Sequence, residues 1–235
     1  MIYAIVGPTG VGKTKLSVSL AKEVNAEIIN CDSMQVYKEL NIGVAKIKEE
    51  EKMGIKHHLF DVVSVNDSFN AYNYQVLGRR IIEDILSRGK NVVIVGGTGL
   101  YLKALLYDFD FNSKSDKKLY DFKLIGLTRD RKNLYDIINK RVDIMVDEGL
   151  ISEVKSLYDK GIRCRAVMTA IGYKELYRYF DGAISLNEAL DDIKKSSRHY
   201  AKRQYTFFNN QFDFIKWYDV DLISFDDIVL DIIKK

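Results

Sequence analysis

A glycine-rich segment near the N-terminus constrains the fold of this chain more than any other part of the sequence. Residues 7–14 read Gly-Pro-Thr-Gly-Val-Gly-Lys-Thr, directly after the apolar run 2–6 and at the start of helical spacing over 13–24. This order of strand, loop and helix is the context that a phosphate-binding loop of the form GxxxxGK[ST] requires. The sequence therefore predicts a ligand that carries phosphate.

Each part of this loop has a physical role toward a polyphosphate. Its glycines let successive backbone N–H groups turn inward, and the N-terminus of the following helix adds partial positive charge. The Lys13 ammonium would bridge terminal phosphate oxygens, and the Thr14 hydroxyl would hold Mg²⁺. The predicted phosphate site comprises Gly7, Pro8, Thr9, Gly10, Val11, Gly12, Lys13 and Thr14.

Short apolar runs alternate with amphipathic stretches in the first half of the chain. The runs 27–30, 91–95 and 123–127 join 2–6 as predicted strands, with helical spacing over 13–24 and 69–88 between them. This alternation favours an α/β fold, a P-loop NTPase-like parallel sheet flanked by helices. We expect this core over residues 1–132 and a mainly helical portion over 133–235. That portion has predicted helices at 134–147, 152–158, 169–179 and 186–209 and a late strand at 212–217.

Composition and charge narrow the class of protein. The 235 residues are 47% hydrophobic and 29% charged, with a net charge of +3, and no apolar run approaches the ~20 residues that span a bilayer. The N-terminus lacks the basic stretch and cleavage site of an export signal. Cys31 and Cys164 lack metal-ligand spacing. We expect a cytoplasmic monomer with reduced thiols.

An aspartate follows the second predicted strand. Phosphate-loop NTPases usually carry a second acid after an apolar strand, but the strand 91–95 runs into Gly-Gly-Thr-Gly at 96–99. Asp32 stands after the strand 27–30, and carboxyl ends of parallel strands share one crevice, so it should face the same cleft as Lys13 and Thr14. By position alone, Asp32 could form a turn, bind a metal or accept a proton.

Seven segments, in order, resemble tRNA dimethylallyltransferases. They are residues 7–14, 32–37 (DSMQVY), 57–61 (HHLFD), 96–101 (GGTGLY), 141–150 (RVDIMVDEGL), 170–175 (AIGYKE) and 201–204 (AKRQ). The resemblance implies transfer of a five-carbon prenyl group from dimethylallyl diphosphate to N6 of the adenosine 3′-adjacent to the anticodon of tRNA. It also explains the missing second acid, because a bound diphosphate leaving group needs no activated water.

The same resemblance implies roles for individual residues. Asp32 would be the general base for the adenine amine, a contribution of about 10²–10⁴-fold. Thr14 with Mg²⁺, and Arg141, would stabilise the departing diphosphate. The implied contacts with the acceptor base or tRNA are Asp32, Ser33, Met34, Gln35, Thr98, Thr169, Ala170, Ile171, Gly172, Tyr173 and Lys174.

Basic residues form two clusters that would suit an RNA backbone. The helix 186–209 carries two adjoining columns, Lys194, Arg198 and Lys202 beside Lys195, His199 and Arg203. We predict that both clusters meet in one rim around the Asp32 pocket, with Arg198, Lys202 and Arg203 as tRNA contacts. A merely solvated helix face would show the same pattern. The second cluster is Lys160, Arg163, Arg165, Lys174 and Arg178, near Tyr173, Tyr177 and Tyr179, which suit either base stacking or a core.

The resemblance breaks in one place. Members of this family carry a long helical insertion that grips the anticodon stem-loop, but here only residues 102–122 fill that interval, and 112–118 are predicted to be a polar loop. Two alternatives therefore stay open. One is an adenylate isopentenyltransferase acting on free AMP or ATP. The other is a P-loop small-molecule kinase, with Arg129 and Arg131 as its lid. The retained segments 170–175 and 201–204 favour tRNA.

Overall fold

A computed structural model describes residues 1–111 and 117–234. Within these residues, six strands form one parallel sheet in the order β3-β2-β4-β1-β5-β6. The strands are β1 (Ile2–Val6), β2 (Ala26–Asn30), β3 (His57–His58), β4 (Asn91–Val95), β5 (Phe122–Thr128) and β6 (Lys216–Asp219). The helices are α1 (Lys13–Glu23), α2 (Ala71–Ser87), α3 (Gly99–Leu106), α4 (Arg131–Asp147), α5 (Leu150–Asp159), α6 (Arg165–Thr169), α7 (Tyr173–Phe180), α8 (Leu186–Gln211) and α9 (Phe225–Ile233).

The central strand β1 is buried on both faces, as its unbroken apolar run predicts. Tyr3 and Ile5 belong to a core shared with residues of α1 and α9. Ile2, Ala4 and Val6 belong to a second core, which contains residues of α2, α3, α5 and α7. Because every strand pair is parallel, the segments that follow β1, β2 and β4 leave the sheet at one edge. The predicted parallel sheet with flanking helices is confirmed.

Two sequence-based boundaries in the C-terminal half are wrong. The predicted helix 169–179 is broken between α6 and α7, because Gly172 has a φ of +95°. The late strand was expected at 212–217 but begins at Lys216. Phe212 instead is the C-cap residue of α8 and is buried, whereas Phe214 is 91% exposed at a φ of +62°.

Three elements are absent from the sequence-based prediction. Helix α3 is almost uniformly apolar, so it lacks the polar and apolar alternation that marks an amphipathic helix. Helix α9 lies near the C-terminus, where Ser224 caps its N-terminus and Ile228, Val229 and Ile232 are buried. Strand β3 has only two residues, His57 and His58, which is too short to give a sequence pattern.

The connection between α3 and β5 is short. Tyr107 and Lys118 form an antiparallel bridge, and the Leu119 N–H donates to the Leu106 carbonyl oxygen at 2.9 Å. The predicted polar loop at 112–118 falls mainly on residues 112–116, which lie outside the described residues. In the described parts of the chain, no helix is long and apolar enough to cross a membrane.

Candidate active site

The phosphate loop joins β1 to α1 at the carboxyl edge of the sheet. Gly7 fits only as glycine, because a Cβ there would lie 2.4 Å from the Leu127 carbonyl oxygen. The Lys13 Nζ donates to the carbonyl oxygens of Gly7 and Pro8 at 2.9 and 2.8 Å. Burial and the nearby Arg141 lower the pKa of Lys13 to about 7, against an opposing effect of Asp32.

Two cavities open beside this loop. The phosphate cavity, about 790 Å³, is lined by Gly10, Gly12, Lys13 and Thr14 among others. A smaller cavity of about 260 Å³ extends toward α5, α6 and α8. The two cavities are continuous, because they share six lining residues: Thr9, Asp32, Val44, Arg141, Met145 and Tyr200.

Asp32 lies where the two cavities meet, half-buried in the turn that follows β2. Its Oδ1 accepts a hydrogen bond of 2.8 Å from the Met34 N–H, and its own N–H donates to Asn30 Oδ1. Asp32 is therefore a turn former, one of the three possibilities left open by its position. Its cleft is the one that contains Lys13 and Thr14, as predicted.

Arg141 reaches the phosphate loop from the middle of α4. Its Nη1 donates to Thr9 Oγ1 at 3.0 Å, and its side chain lines both cavities. Burial lowers the pKa of Arg141, whereas the negative charge of Asp32 acts in the opposite direction. Arg141 is thus a cation held between the phosphate loop and the smaller cavity.

The predicted acceptor segments surround the smaller cavity, with three exceptions: Gln35, Thr98 and Tyr173. Ser33, Met34, Thr169, Ala170, Ile171, Gly172 and Lys174 line this cavity, and Gln35 lines the phosphate cavity. Thr98 is not among the lining residues of either cavity, but its Oγ1 accepts a hydrogen bond of 3.0 Å from the Ser33 N–H. The expectation for Tyr173 is corrected. Its side chain is fully buried, so it cannot contact a ligand or RNA directly, and its hydroxyl donates to the half-buried Glu153.

Two residues of α8 belong to the site although neither was among the predicted site residues. Tyr200 lines both cavities, and burial together with the charge of Asp32 raises its pKa. Gln204 is buried and hydrogen-bonds to backbone atoms of Thr9 and Gly97. Within the segment 201–204, only the predicted tRNA contacts Lys202 and Arg203 are exposed. The spacing of Tyr200 and Gln204 on one helix face was the available signal.

The basic clusters reach the cavities only in part. Lys194 pairs with Asp143, and Arg198 donates to Asn139 Oδ1 at 2.6 Å, so both contact α4. One residue of each cluster, Lys174 and Arg203, lines the smaller cavity. In the second cluster, Arg163 pairs with Asp181 and Arg178 pairs with Asp192. The predicted single rim is therefore only partly formed, while Lys195, His199 and Lys202 remain exposed on α8.

The groups around Thr14 suit a hard divalent cation. The Thr14 side chain is exposed toward the phosphate cavity, and Asp32 lines the same cavity. Hydroxyl, carboxylate and phosphate oxygens are the ligands that Mg²⁺ prefers. His57 and His58 do not form a metal site: His58 Nε2 contacts Glu27, and His57 Nδ1 contacts the Ile55 carbonyl oxygen. Within the described ranges, no group of three or more His, Cys, Asp or Glu is placed to hold a metal.

Comparison with known proteins gives a consistent result. The IPP transferase family model matches residues 35–120 and 110–211. The tRNA dimethylallyltransferase of Anoxybacillus flavithermus is 42% identical over 282 residues, covering 93% of this chain and 90% of that protein. The Bacillus subtilis protein of the same name is 40% identical over 285 residues, with the same coverage. The crystal structure of a full-length tRNA isopentenylpyrophosphate transferase from Bacillus halodurans superposes with a TM-score of 0.92 at 40% identity, covering 98% of this chain and 93% of that one.

These matches also bear on the short connection after α3. Both sequence alignments are longer than the 235 residues of this chain, so both relatives contain internal residues without a counterpart here. The two stretches matched by the family model meet at residues 110–120, between α3 and β5. An insertion at this connection in the relatives stays a prediction.

Proposed function

The chain belongs to the IPP transferase family, and on this premise we propose that it transfers a dimethylallyl group from dimethylallyl diphosphate to N6 of the adenosine 3′-adjacent to the anticodon of a tRNA. One observation carries the proposed mechanism. Asp32 lies at the junction of a cavity that contains the phosphate loop and a second cavity of about 260 Å³. A leaving diphosphate and an incoming purine amine can therefore meet beside one carboxylate.

The phosphate loop would bind the diphosphate of the donor. Lys13 now donates to the Gly7 and Pro8 carbonyl oxygens, and in the complex its ammonium would turn to the phosphate oxygens. Arg141 would take up negative charge that develops on the departing diphosphate, because it lies within hydrogen-bond reach of the loop at Thr9. Thr14 and the donor oxygens would hold Mg²⁺, which supplies further charge neutralisation on the diphosphate.

Asp32 would act as the general base at the acceptor. A bond forms between adenine N6 and the allylic C1, the C1–O bond to diphosphate breaks, and the N6 proton passes to Asp32. Oδ1 of Asp32 already accepts the Met34 N–H, so Oδ2 is the oxygen that would take the proton. The adenine must leave the stack of the anticodon loop to reach this point, which costs a few kcal/mol and is easiest in a single-stranded loop.

The exposed basic residues near the smaller cavity favour an RNA acceptor over a free nucleotide. Lys174 and Arg203 line this cavity, and Lys202 is exposed beside Arg203 on α8. Such residues would contact the phosphates that flank the flipped base. The proposed reaction takes place in the cytoplasm, where tRNA is modified.

Kinase chemistry receives less support from the side-chain contacts. Arg129, a residue considered for a kinase lid, pairs with Asp221 at 2.9 Å. Arg131, the other, packs over the ring of Tyr135. Neither arginine is among the lining residues of the two cavities. A kinase lid would bring its arginines beside the transferred phosphate, and neither of these two residues is placed to do so.

The test supplies dimethylallyl diphosphate and Mg²⁺ with one of three acceptors: an unmodified tRNA transcript with adenosine 3′ of its anticodon, the same transcript with guanosine there, or AMP. We expect prenylated product from the first transcript alone, identified by mass spectrometry of nucleosides. Product from AMP but not from tRNA would instead establish the free-nucleotide reaction. Transfer of phosphate from ATP to a small acceptor would establish a kinase.

A further inference from the structure

One wall of the smaller cavity is a loop that is held from outside the cavity. Residues 41–45, here called the wall loop, follow the turn that contains Asp32. Gly43 and Val44 line the smaller cavity, and Val44 also lines the phosphate cavity. The position of this loop therefore affects the shape of the junction at which Asp32 lies.

Glu153 binds the wall loop from the first turn of α5. Its Oε2 accepts a hydrogen bond of 2.9 Å from the Ile42 N–H, and its Oε1 accepts one of 3.2 Å from the Gly43 N–H. The hydroxyl of Tyr173 donates to the same Oε1. Glu153 is half-buried and is not among the lining residues of either cavity. Hydrogen bonds to a carboxylate are about twice as strong as those between neutral groups.

Packing and a second set of hydrogen bonds hold the same loop. The ring of Tyr173 lies so close to Gly43 that a Cβ there would be 2.4 Å from its Cε2 atom. In addition, Gln35 Nε2 donates to the carbonyl oxygens of Val44 and Ala45 at 2.9 and 3.2 Å. Glu153 thus binds the N–H groups of Ile42 and Gly43, and Gln35 binds the carbonyl groups of the next two residues of the wall loop.

We propose that Glu153 is a positioning residue for the transfer reaction, which fixes the wall loop so that Val44 keeps donor and acceptor aligned at Asp32. This inference rests on the proposed function. Glu153 would act through the Ile42 and Gly43 amides, without touching either substrate. A displacement of about 1 Å between reacting groups can lower a rate by about 10²-fold. Loss of Glu153 should lower the rate of the chemical step and leave donor binding intact, because no contact of Glu153 reaches the phosphate loop.

The variant Glu153→Gln removes the charge and one of the two acceptor oxygens, so its amide group would face a backbone N–H donor. Single-turnover transfer is measured with donor already bound and tRNA saturating. We expect the rate to fall about 10–100-fold at full product amplitude, with the dissociation constant of dimethylallyl diphosphate nearly unchanged.

Tyr173→Phe keeps the ring against Gly43 and removes only one hydrogen bond, so its rate should fall less. The double variant should lose less than the product of the two single effects.

Glu39→Gln is the matched control. Glu39 also ties a loop through its carboxylate, which accepts hydrogen bonds from Ser64 Oγ and the Val65 N–H at 2.6 and 2.9 Å. It does not line either cavity, and its variant should keep the wild-type rate.

Three results would overturn the positioning role. They are an unchanged rate in Glu153→Gln, an equal loss in Glu39→Gln, or a loss of product amplitude at an unchanged rate, which indicates a misfolded fraction. If Glu153→Gln does not fold, Tyr173→Phe decides alone, and an unchanged rate there counts against the role. Absence of transfer by the wild-type protein would refute the proposed function itself, and this inference with it.

Discussion

The side-chain oxygen Oε1 of Gln204 accepts a hydrogen bond of 2.9 Å from the backbone N–H of Thr9, a residue 195 positions earlier in the chain. The amide Nε2 of the same side chain donates to the Gly97 carbonyl oxygen at 3.1 Å. Gln204 is only 5% exposed. The long helix α8 therefore fixes the phosphate loop and the loop after β4 relative to each other.

Replacement of Gln204 by leucine should destabilise the protein and loosen the phosphate loop. It leaves a backbone N–H and a carbonyl oxygen without a partner, at a cost of about 1–3 kcal/mol for such buried groups. Urea unfolding should show this loss, and calorimetry should show weaker binding of dimethylallyl diphosphate. Gln211→Leu, at the exposed end of the same helix, is the control and should change the unfolding free energy by less than about 0.5 kcal/mol.

Binding of the donor should be coupled to proton uptake at Lys13. Burial lowers the pKa of this lysine to about 7 in the ligand-free protein, and a bound diphosphate would raise it again. Above pH 7 and below the ordinary value of 10.5, binding should therefore take up a fraction of a proton. Calorimetry at about pH 8.5 in buffers of different ionisation enthalpy measures this uptake.

The variant Lys13→Arg distinguishes proton uptake at Lys13 from proton uptake at other groups, because arginine stays charged throughout that pH range. It should bind the donor without uptake. Proton release, or no change in the wild type, would contradict the assignment.

The lowered pKa of Lys13 also affects folding. Folded Lys13 binds fewer protons than unfolded Lys13, so its contribution to the unfolding free energy should rise with pH from about 7 to 10.5.

The buried carboxylate of Glu27 in β2 should determine how the stability of the protein changes at acidic pH. Glu27 is 4% exposed in its side chain and contacts Arg88, Lys90 and His58. Hydrogen bonds from Arg88 are the largest cause that holds the pKa of Glu27 far below its ordinary 4.5. Its stabilisation is therefore complete above pH 4.5 and is lost as the pH falls below that value.

Glu27→Gln should lower the unfolding free energy by about 3 kcal/mol at neutral pH. By about pH 3 the difference from the wild type should narrow, because Glu27 of the unfolded wild-type chain takes up a proton below pH 4.5 whereas the folded carboxylate stays charged. Denaturant unfolding at both pH values measures this. A constant difference would show that packing, not charge, accounts for the loss. The exposed Glu23→Gln serves as the control and should have little effect.

The parts of this site that local patterns determine could be predicted from the sequence. The phosphate loop needs glycines at fixed spacing between a strand and a helix, and Asp32 follows a buried strand whose end must face the ligand crevice. Both features depend on neighbours in the chain. The parallel sheet follows in the same way, since β1, β2, β4 and β5 are short apolar runs between turn residues.

The remaining parts depend on contacts between distant residues. Glu153 meets Ile42 and Gly43 across more than 100 residues, and Gln204 meets Thr9 across 195. No local pattern marks either pairing. Tyr173 has the spacing of an aromatic residue that could stack on a base, but the packing of α7 against the wall loop buries it. The sequence pattern around Tyr173 would be the same whether its ring stacked on a base or lay in the core.

The central claim is that Asp32 accepts the proton of the adenine amine, and Asp32→Asn tests it most directly. Asparagine keeps Oδ1, and with it the 2.8 Å hydrogen bond from the Met34 N–H that forms the turn, so the cavity should keep its shape. Single-turnover transfer to tRNA should slow by about 10²–10⁴-fold, while dimethylallyl diphosphate binds with nearly unchanged affinity. A wild-type rate of transfer in Asp32→Asn would contradict the account.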